Sequence, residues 1–230
     1  MSWDPIVQQH YPEALPLFQV AEENLNYIEK ELGGSRATTL LASSRCADDL
    51  VLTDKTLNQE FDGPFQLGGL AGFPFTGKTG MTAYAHHVHE NGTAFILYGP
   101  HIGIDADGNL GKVLRPGQSG CTSACGALIG AVAQLESGKD LESTYDDFQQ
   151  PQIVQMLTPY RDRILSAESS IKEATQISYE LIHEQVNQIL DATIKEFTCK
   201  RIVLVGGILI NTDVGADDYM TIENSEFIDL

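Results

Sequence analysis

Apolar residues recur at three- and four-residue intervals through Leu15, Phe18, Ala21, Leu25, Ile28 and Leu32, and Gly33-Gly34 ends the pattern. This spacing predicts a helix over about Pro12 to Leu32. Thr38 to Ser44 is a short apolar run, a strand or helix entering the turn Arg45-Cys46-Ala47-Asp48-Asp49, and Ala94 to Tyr98 reads as a strand closed by Gly99-Pro100-His101. Small residues from Ser123 to Leu135 predict a helix packed closely on a sheet. Ile164, Ile171, Ala174, Ile177, Leu181, Val186, Ile189, Leu190 and Ile194 give one apolar side to a long helix from about Arg163 to Phe197. Arg201 to Val205 continues through Gly206-Gly207 into Ile208 to Thr212, an almost unbroken apolar run suited to a central strand covered on both faces. Tyr219 to Leu230 reads as an edge strand or a tail exchanged with a partner. The pattern predicts an α/β fold, a mainly parallel central sheet flanked by helices on both faces. One domain spans 1–230, with an N-terminal helical arm at 1–36 and, over 137–198, a polar surface excursion leading into the long helix.

Composition narrows the function. The 230 residues, 42% of them hydrophobic, suffice for one large domain. Acidic residues number 32 against 14 basic, a formal charge of −18, so the surface repels phosphate backbones and anionic headgroups. Nucleic-acid and membrane partners are therefore not expected. The start, Met1-Ser2-Trp3-Asp4-Pro5, has neither the basic opening nor the apolar core of a signal peptide, and no apolar run approaches the roughly 20 residues of a membrane span. The expected place is cytoplasmic, unless an organelle-targeting segment lies outside this sequence. Four cysteines fit a reducing compartment, as thiols or metal ligands.

Candidate chemistry gathers at the ends of the apolar runs. A histidine at a strand's carboxyl end, His101, is followed by a Gly-rich loop and by Cys125 at the start of a helix, where N-terminal amides favour a thiolate. With Cys46 these residues form a candidate Cys-His-Cys set, the ligand chemistry of zinc. Cys46 alone also reads as one buried thiol, and Cys121, four residues before Cys125, is a competing ligand. Gly72 to Thr79 matches the phosphate-binding pattern G-x-x-x-x-G-K-[ST] at every fixed position. Its interior, however, is Phe-Pro-Phe, Pro74 lacks an N–H, and Phe61 to Ala71 is a poor strand. A compact aromatic loop leading into a helix from Thr79 to Val88 is the better reading. His86 and His89 read as solvated and His87 as structurally hydrogen-bonded, since neighbours on a helix diverge. Asp105-Ala106-Asp107-Gly108 is a turn signal.

Taken together, Gly68 to Phe75 (GGLAGFPF), Tyr98 to Asp105 (YGPHIGID), the Arg115 loop into Ala124 to Ala127 (ACGA) and Val205 to Thr212 (VGGILINT) resemble the limiting-CO2-inducible protein family, related in fold to β-type carbonic anhydrases and including theta-type ones. The resemblance covers about Thr38 to Tyr219. It implies a carbonic-anhydrase-like domain in which Cys46, His101 and Cys125 bind Zn2+ and leave a fourth position for water. It implies reversible hydration of CO2 to bicarbonate by a zinc-bound hydroxide, with Phe73, Phe75 and Phe61 as candidate apolar walls for CO2.

Asp48 matches the aspartate that accepts a hydrogen bond from the zinc-bound solvent. The β-type pattern Cys-x-Asp-x-Arg would place that aspartate's arginine at position 50, where this chain has Leu50. Arg115 is the candidate partner and Arg45 the alternative. A homodimer follows from the resemblance, because β-type active sites lie near a subunit interface. Two other functions compete: a catalytically silent zinc-binding member serving as a CO2- or bicarbonate-responsive assembly partner, and a nucleotide-binding protein using Gly72 to Thr79.

Overall fold

The fold is drawn from a computed structural model, which describes residues 2–52, 61–139 and 141–230. Its centre is a seven-stranded sheet. The strands are β1 (Leu15–Pro16), β2 (Thr39–Ser44), β3 (Asp62–Gln66), β4 (Thr93–Tyr98), β5 (His101–Gly103), β8 (Arg201–Asn211) and β9 (Tyr219–Asp229), in the order β1-β9-β8-β4-β2-β3 with β5 also paired to β8. A separate ribbon joins β6 (Lys112–Val113) to β7 (Thr122–Ser123). Strands β3, β2, β4, β5 and β8 run parallel, and β9 lies antiparallel to β8. The predicted α/β class and mainly parallel sheet are therefore present. Strands β4 and β8 are buried almost end to end, as a parallel strand inside the sheet requires.

The helices among the described residues are α1 (Asp4–His10), α2 (Leu17–Asn26, continued by a π turn Tyr27–Glu31), α3 (Asp49–Leu52), α4 (Gly77–Ala85), α5 (Gly126–Ser137), α6 (Gln149–Leu157), α7 (Arg161–Ser166) and α8 (Ser170–Thr193). Helix α8 packs along the sheet face that carries Tyr98, whose ring stacks on Tyr179 at 6.5 Å. Phe61 packs edge-on against Phe95, which alternates to the opposite face.

Several boundaries differ from expectation, each for a local reason. The helix expected over Pro12 to Leu32 begins at Leu17, because Pro16 disfavours helical backbone at Leu15 and the pair instead joins β9 antiparallel. Phe18, counted on its apolar side, is 54% exposed. Asp62–Gln66 is a genuine strand; at the sheet edge Pro64 costs no interior ladder bond. The long helix is two: Ala167 is extended, and the Ser169 hydroxyl accepts from the Lys172 N–H to cap a new start. Within the expected surface excursion, Gln149–Leu157 is helical and buries Ile153, Val154 and Leu157. The terminal strand is ordered against β8 in its own chain, and β1 covers its first two residues, so it forms the sheet edge only beyond Met220. No helix among the described residues is long and apolar enough to cross a membrane.

One close approach sets the course of the central strands. Gly99 has φ +138°, and a Cβ there would stand 1.8 Å from the Gly207 carbonyl oxygen. A Cβ on Gly207 would stand 1.8 Å from the Thr221 carbonyl oxygen. Glycine at 99 lets β4 break at Gly99-Pro100 and resume as β5 along the same neighbour, β8, and glycine at 207 lets β8 pass close to β9. We expect Gly207→Ala to lower stability by about 3 kcal/mol or more, or to prevent folding, and Gly120→Ala, with open space around it, to stay within about 0.5 kcal/mol of wild type; urea unfolding midpoints check both.

Candidate metal centre

The parallel strands deliver the candidate ligands to one place. Cys46 leaves the carboxyl end of β2, His101 opens β5 just beyond the Gly99-Pro100 break, and Cys125 caps the N-terminus of α5. All three are buried, at 3%, 1% and 1% exposure. Their ligand atoms lie within 4.8 Å of one another, and the two sulfurs are 3.7 Å apart. His101 Nε2 is buried with no hydrogen-bond partner in the protein. A buried ring nitrogen is seldom left unpaired, so an orphan facing two thiols fits a metal ion as its partner. Two sulfurs and one nitrogen could hold such an ion and leave a tetrahedral position open. Cys121 is exposed and lies outside the cluster, whereas Cys125 lies within it.

Electrostatics inside the triangle are strongly coupled. The Cys125 thiol beside it, with the His101 imidazole, brings the Cys46 thiol down to about 4 despite burial. Cys46 and burial push Cys125 up, against the pull of the Leu128 and Ala127 N–H groups. The pair therefore releases one proton readily and the second reluctantly unless a cation replaces it. Burial works against a charged His101, but the sulfur of Cys46 and the acceptors Asn211 and Asp48 outweigh it and raise the ring's value.

Asp48 stands beside this triangle, its Oδ2 3.9 Å from His101 Nε2. Arg115 donates to both of its oxygens at 2.9 Å, a bidentate clamp, and the Leu50 N–H donates to Oδ1 at 3.0 Å. Arg115 is itself fixed, donating to Thr122 Oγ1, to the Ser123 carbonyl and to Asp49. Arg45, the alternative, is buried with its Nε donating to Ser43 Oγ. The arginine absent at position 50 is thus supplied from the β6–β7 ribbon, a long-range substitution. Burial resists ionisation of Asp48, yet Arg115 and the Leu50 N–H hold its carboxyl down at about 2.

The aromatic candidates separate. Phe73 is fully buried, Phe75 half-buried and Phe61 buried against Phe95. The Gly-rich loop before Phe73 is fastened to the ligand-bearing strand ends: the Ala47 N–H donates to the Gly69 carbonyl and Ser44 Oγ to that of Gly72. Phe75 continues outward to Phe148, 6.2 Å away. Neither Phe148 nor Gln149, whose Oε1 accepts from the Leu70 N–H, was signalled by sequence spacing. The phosphate-loop pattern is not shaped for phosphate. From Gly72 to Gly77 every N–H is bonded within the loop region, and Pro74 has none. His86, His87 and His89 are exposed, His87 bonding the Ala83 carbonyl as expected.

A parallel sheet with two cysteines and a histidine gathered at its carboxyl edge defines a class, the α/β proteins with a candidate Cys-His-Cys metal centre. The chain belongs to the family described as limiting CO2-inducible proteins B/C, beta carbonic anhydrases, whose model matches residues 16–229. The crystal structure of PtLCIB4, a homolog of the limiting CO2-inducible protein LCIB, superposes with a TM-score of 0.90 at 28% identity, covering 98% of this chain and 95% of that one. LCIB itself shares the fold, with a TM-score of 0.67 at 15% identity over 96% of each chain. No curated protein matches the chain.

A depressed carboxyl contributes stability above its unfolded value of about 3.9 and loses it as the pH falls towards 2. We expect Arg115→Ala to destabilise the metal-free protein by about 1.5–3 kcal/mol at pH 7, with the gap from wild type closing between pH 4 and pH 2. Urea unfolding of both proteins across that range checks the sign and the window.

Proposed function

We propose that this chain catalyses the zinc-dependent, reversible hydration of CO2 to bicarbonate. The observation that carries the reading is the buried, unpartnered His101 Nε2 facing Cys46 and Cys125, with an arginine-clamped carboxylate beside it. The membership of a family described as beta carbonic anhydrases supports it. Cys46, His101 and Cys125 would hold the zinc, which when bound supplies the Lewis acidity that makes water a nucleophile at neutral pH.

The protein's own groups account for the rest of the chemistry. Asp48, ionised throughout the neutral range, can only accept hydrogen bonds, so it orients the attacking water by taking one of its O–H groups. Arg115 occupies both Asp48 oxygens and keeps that carboxylate from turning inward as a further ligand. Each CO2 consumed yields one bicarbonate and one proton, and the proton must leave before the next cycle. Phe75, half-buried with Phe73 behind it at 5.9 Å, follows the loop tied to Ser44 and Ala47, and it is proposed as the apolar wall for CO2. The active form is proposed to be a homodimer.

Elemental analysis with stopped-flow CO2 hydration tests the proposal. We expect about one zinc per chain, hydration abolished in His101→Ala together with the zinc, and hydration reduced at least 100-fold in Asp48→Asn with the zinc retained. Zinc without hydration in the wild type would replace the reading with a silent, metal-binding assembly partner. Absence of zinc would overturn both.

A further inference from the structure

Asn211 ends β8 beside β5, fully buried, in register with Gly103 and two residues from the partner of His101 in the ladder. Its Oδ1 lies 2.7 Å from His101 Nδ1. Its Nδ2 donates to Asp218 Oδ2 at 2.8 Å, and the other oxygen of Asp218 accepts from the Thr212 N–H at 2.8 Å. The Asp218 backbone is anchored in turn, its carbonyl accepting from the Leu17 N–H.

These contacts leave one consistent proton arrangement. A carboxylate can only accept, so Asp218 turns the NH2 end of Asn211 towards itself and the carbonyl end towards the ring. An amide oxygen 2.7 Å from Nδ1 requires a proton on Nδ1. In the neutral imidazole the lone pair then falls on Nε2, the orphaned atom facing the two sulfurs. We propose that Asn211 and Asp218 form a positioning relay that sets the tautomer of His101 and thereby the affinity of the site for a divalent metal ion. This rests on the metal-site reading above. Neither residue belongs to the ligand set, and Asp218 acts through Asn211.

The relay has a polarity, and that polarity can be reversed. In Asp218→Asn the new side chain keeps its oxygen on the Thr212 N–H and presents an NH2 to the NH2 of Asn211. Asn211 then flips, offers a donor to Nδ1 and drives the ring proton onto Nε2. Adding Asn211→Asp to that variant restores an acceptor facing Nδ1 and pairs the two residues again with donor and acceptor exchanged.

The test is zinc affinity by competition with a chromophoric chelator, together with histidine-selective 1H–15N NMR of the zinc-loaded proteins. We expect Asp218→Asn to weaken zinc binding about 10- to 100-fold, a size typical of groups that orient a ligating histidine, and to lose the hydrogen-bonded Nδ1–H resonance of His101. The double variant Asp218→Asn with Asn211→Asp recovers both. Wild-type affinity in Asp218→Asn, or a double variant no better than the single, overturns the relay while leaving the metal site standing. A wild type that binds no zinc overturns the site and the relay together. A purely structural role is excluded by recovery in the double variant, which a lost packing contact would not produce. If Asp218→Asn alone fails to fold, Asn211→Asp alone must shift the Nδ1–H resonance without removing it, and an unmoved resonance sinks the proposal.

Discussion

Two backbones in contact at Gly99 and Gly207 govern where the chemistry sits. Because Gly99 carries no Cβ, the chain leaving β4 turns sharply beside β8 and pairs with it again from His101. His101 is therefore the first side chain of a new strand, delivered to the carboxyl edge of the sheet just where β2 ends and releases Cys46. The Gly-rich loop from Gly68 to Gly72 closes over the end of β2, its carbonyls tied to Ala47 and Ser44, and Gly72 lies close against the Gly99 carbonyl. Open parallel sheets commonly place their ligands beyond the strand carboxyl ends, and here backbone proximity rather than a large cleft makes the place.

A second constraint is electrostatic. Two thiols and an imidazole are buried within 4.8 Å of one another, so neither full protonation nor full ionisation suits them without a cation. Asp48 sits against this cluster as a fixed negative charge, and Arg115, brought from the β6–β7 ribbon, neutralises it without entering the sulfur triangle. Around that local balance the chain carries a net charge of −18. Under the proposed reaction such a field does nothing to hold an anionic product, while neutral CO2 approaches unaffected.

The residues after β8 link these features to the rest of the molecule. Asn211 touches His101, Asp213 accepts from the Leu114 N–H immediately before Arg115, and Asp218 carries both Asn211 and the Thr212 N–H. One short turn thus braces the imidazole on one side and the arginine clamp on the other. Leu17, at the head of α2, anchors that turn in its own right. The N-terminal segment, which offers no chemistry of its own, is in this way tied to the geometry of the site.

Much of this was legible in the residues. The strand at Arg201 to Asn211, the strand before His101 and the helix after Cys125 follow from apolar runs and periodicity, because burial on both faces or on one stripe leaves a direct mark on composition. A candidate set of Cys46, His101 and a second cysteine, Cys125 or Cys121, was legible because soft sulfur and imidazole at element ends are chemically distinctive. Periodicity could not show that Pro16 hands Leu15 to the sheet, that Ser169 restarts a helix, or that the aromatic loop spends its N–H groups on itself; each depends on which backbone partner is within reach. The pairing of Asp48 with Arg115 rather than Arg45, the placement of Cys125 rather than Cys121 beside Cys46, and the contacts of Asn211 with His101 and Asp218 depend on the tertiary structure alone. They join residues 67, 79 and 110 positions apart along the chain, and no local pattern records a contact that only the folded sheet brings within hydrogen-bond distance.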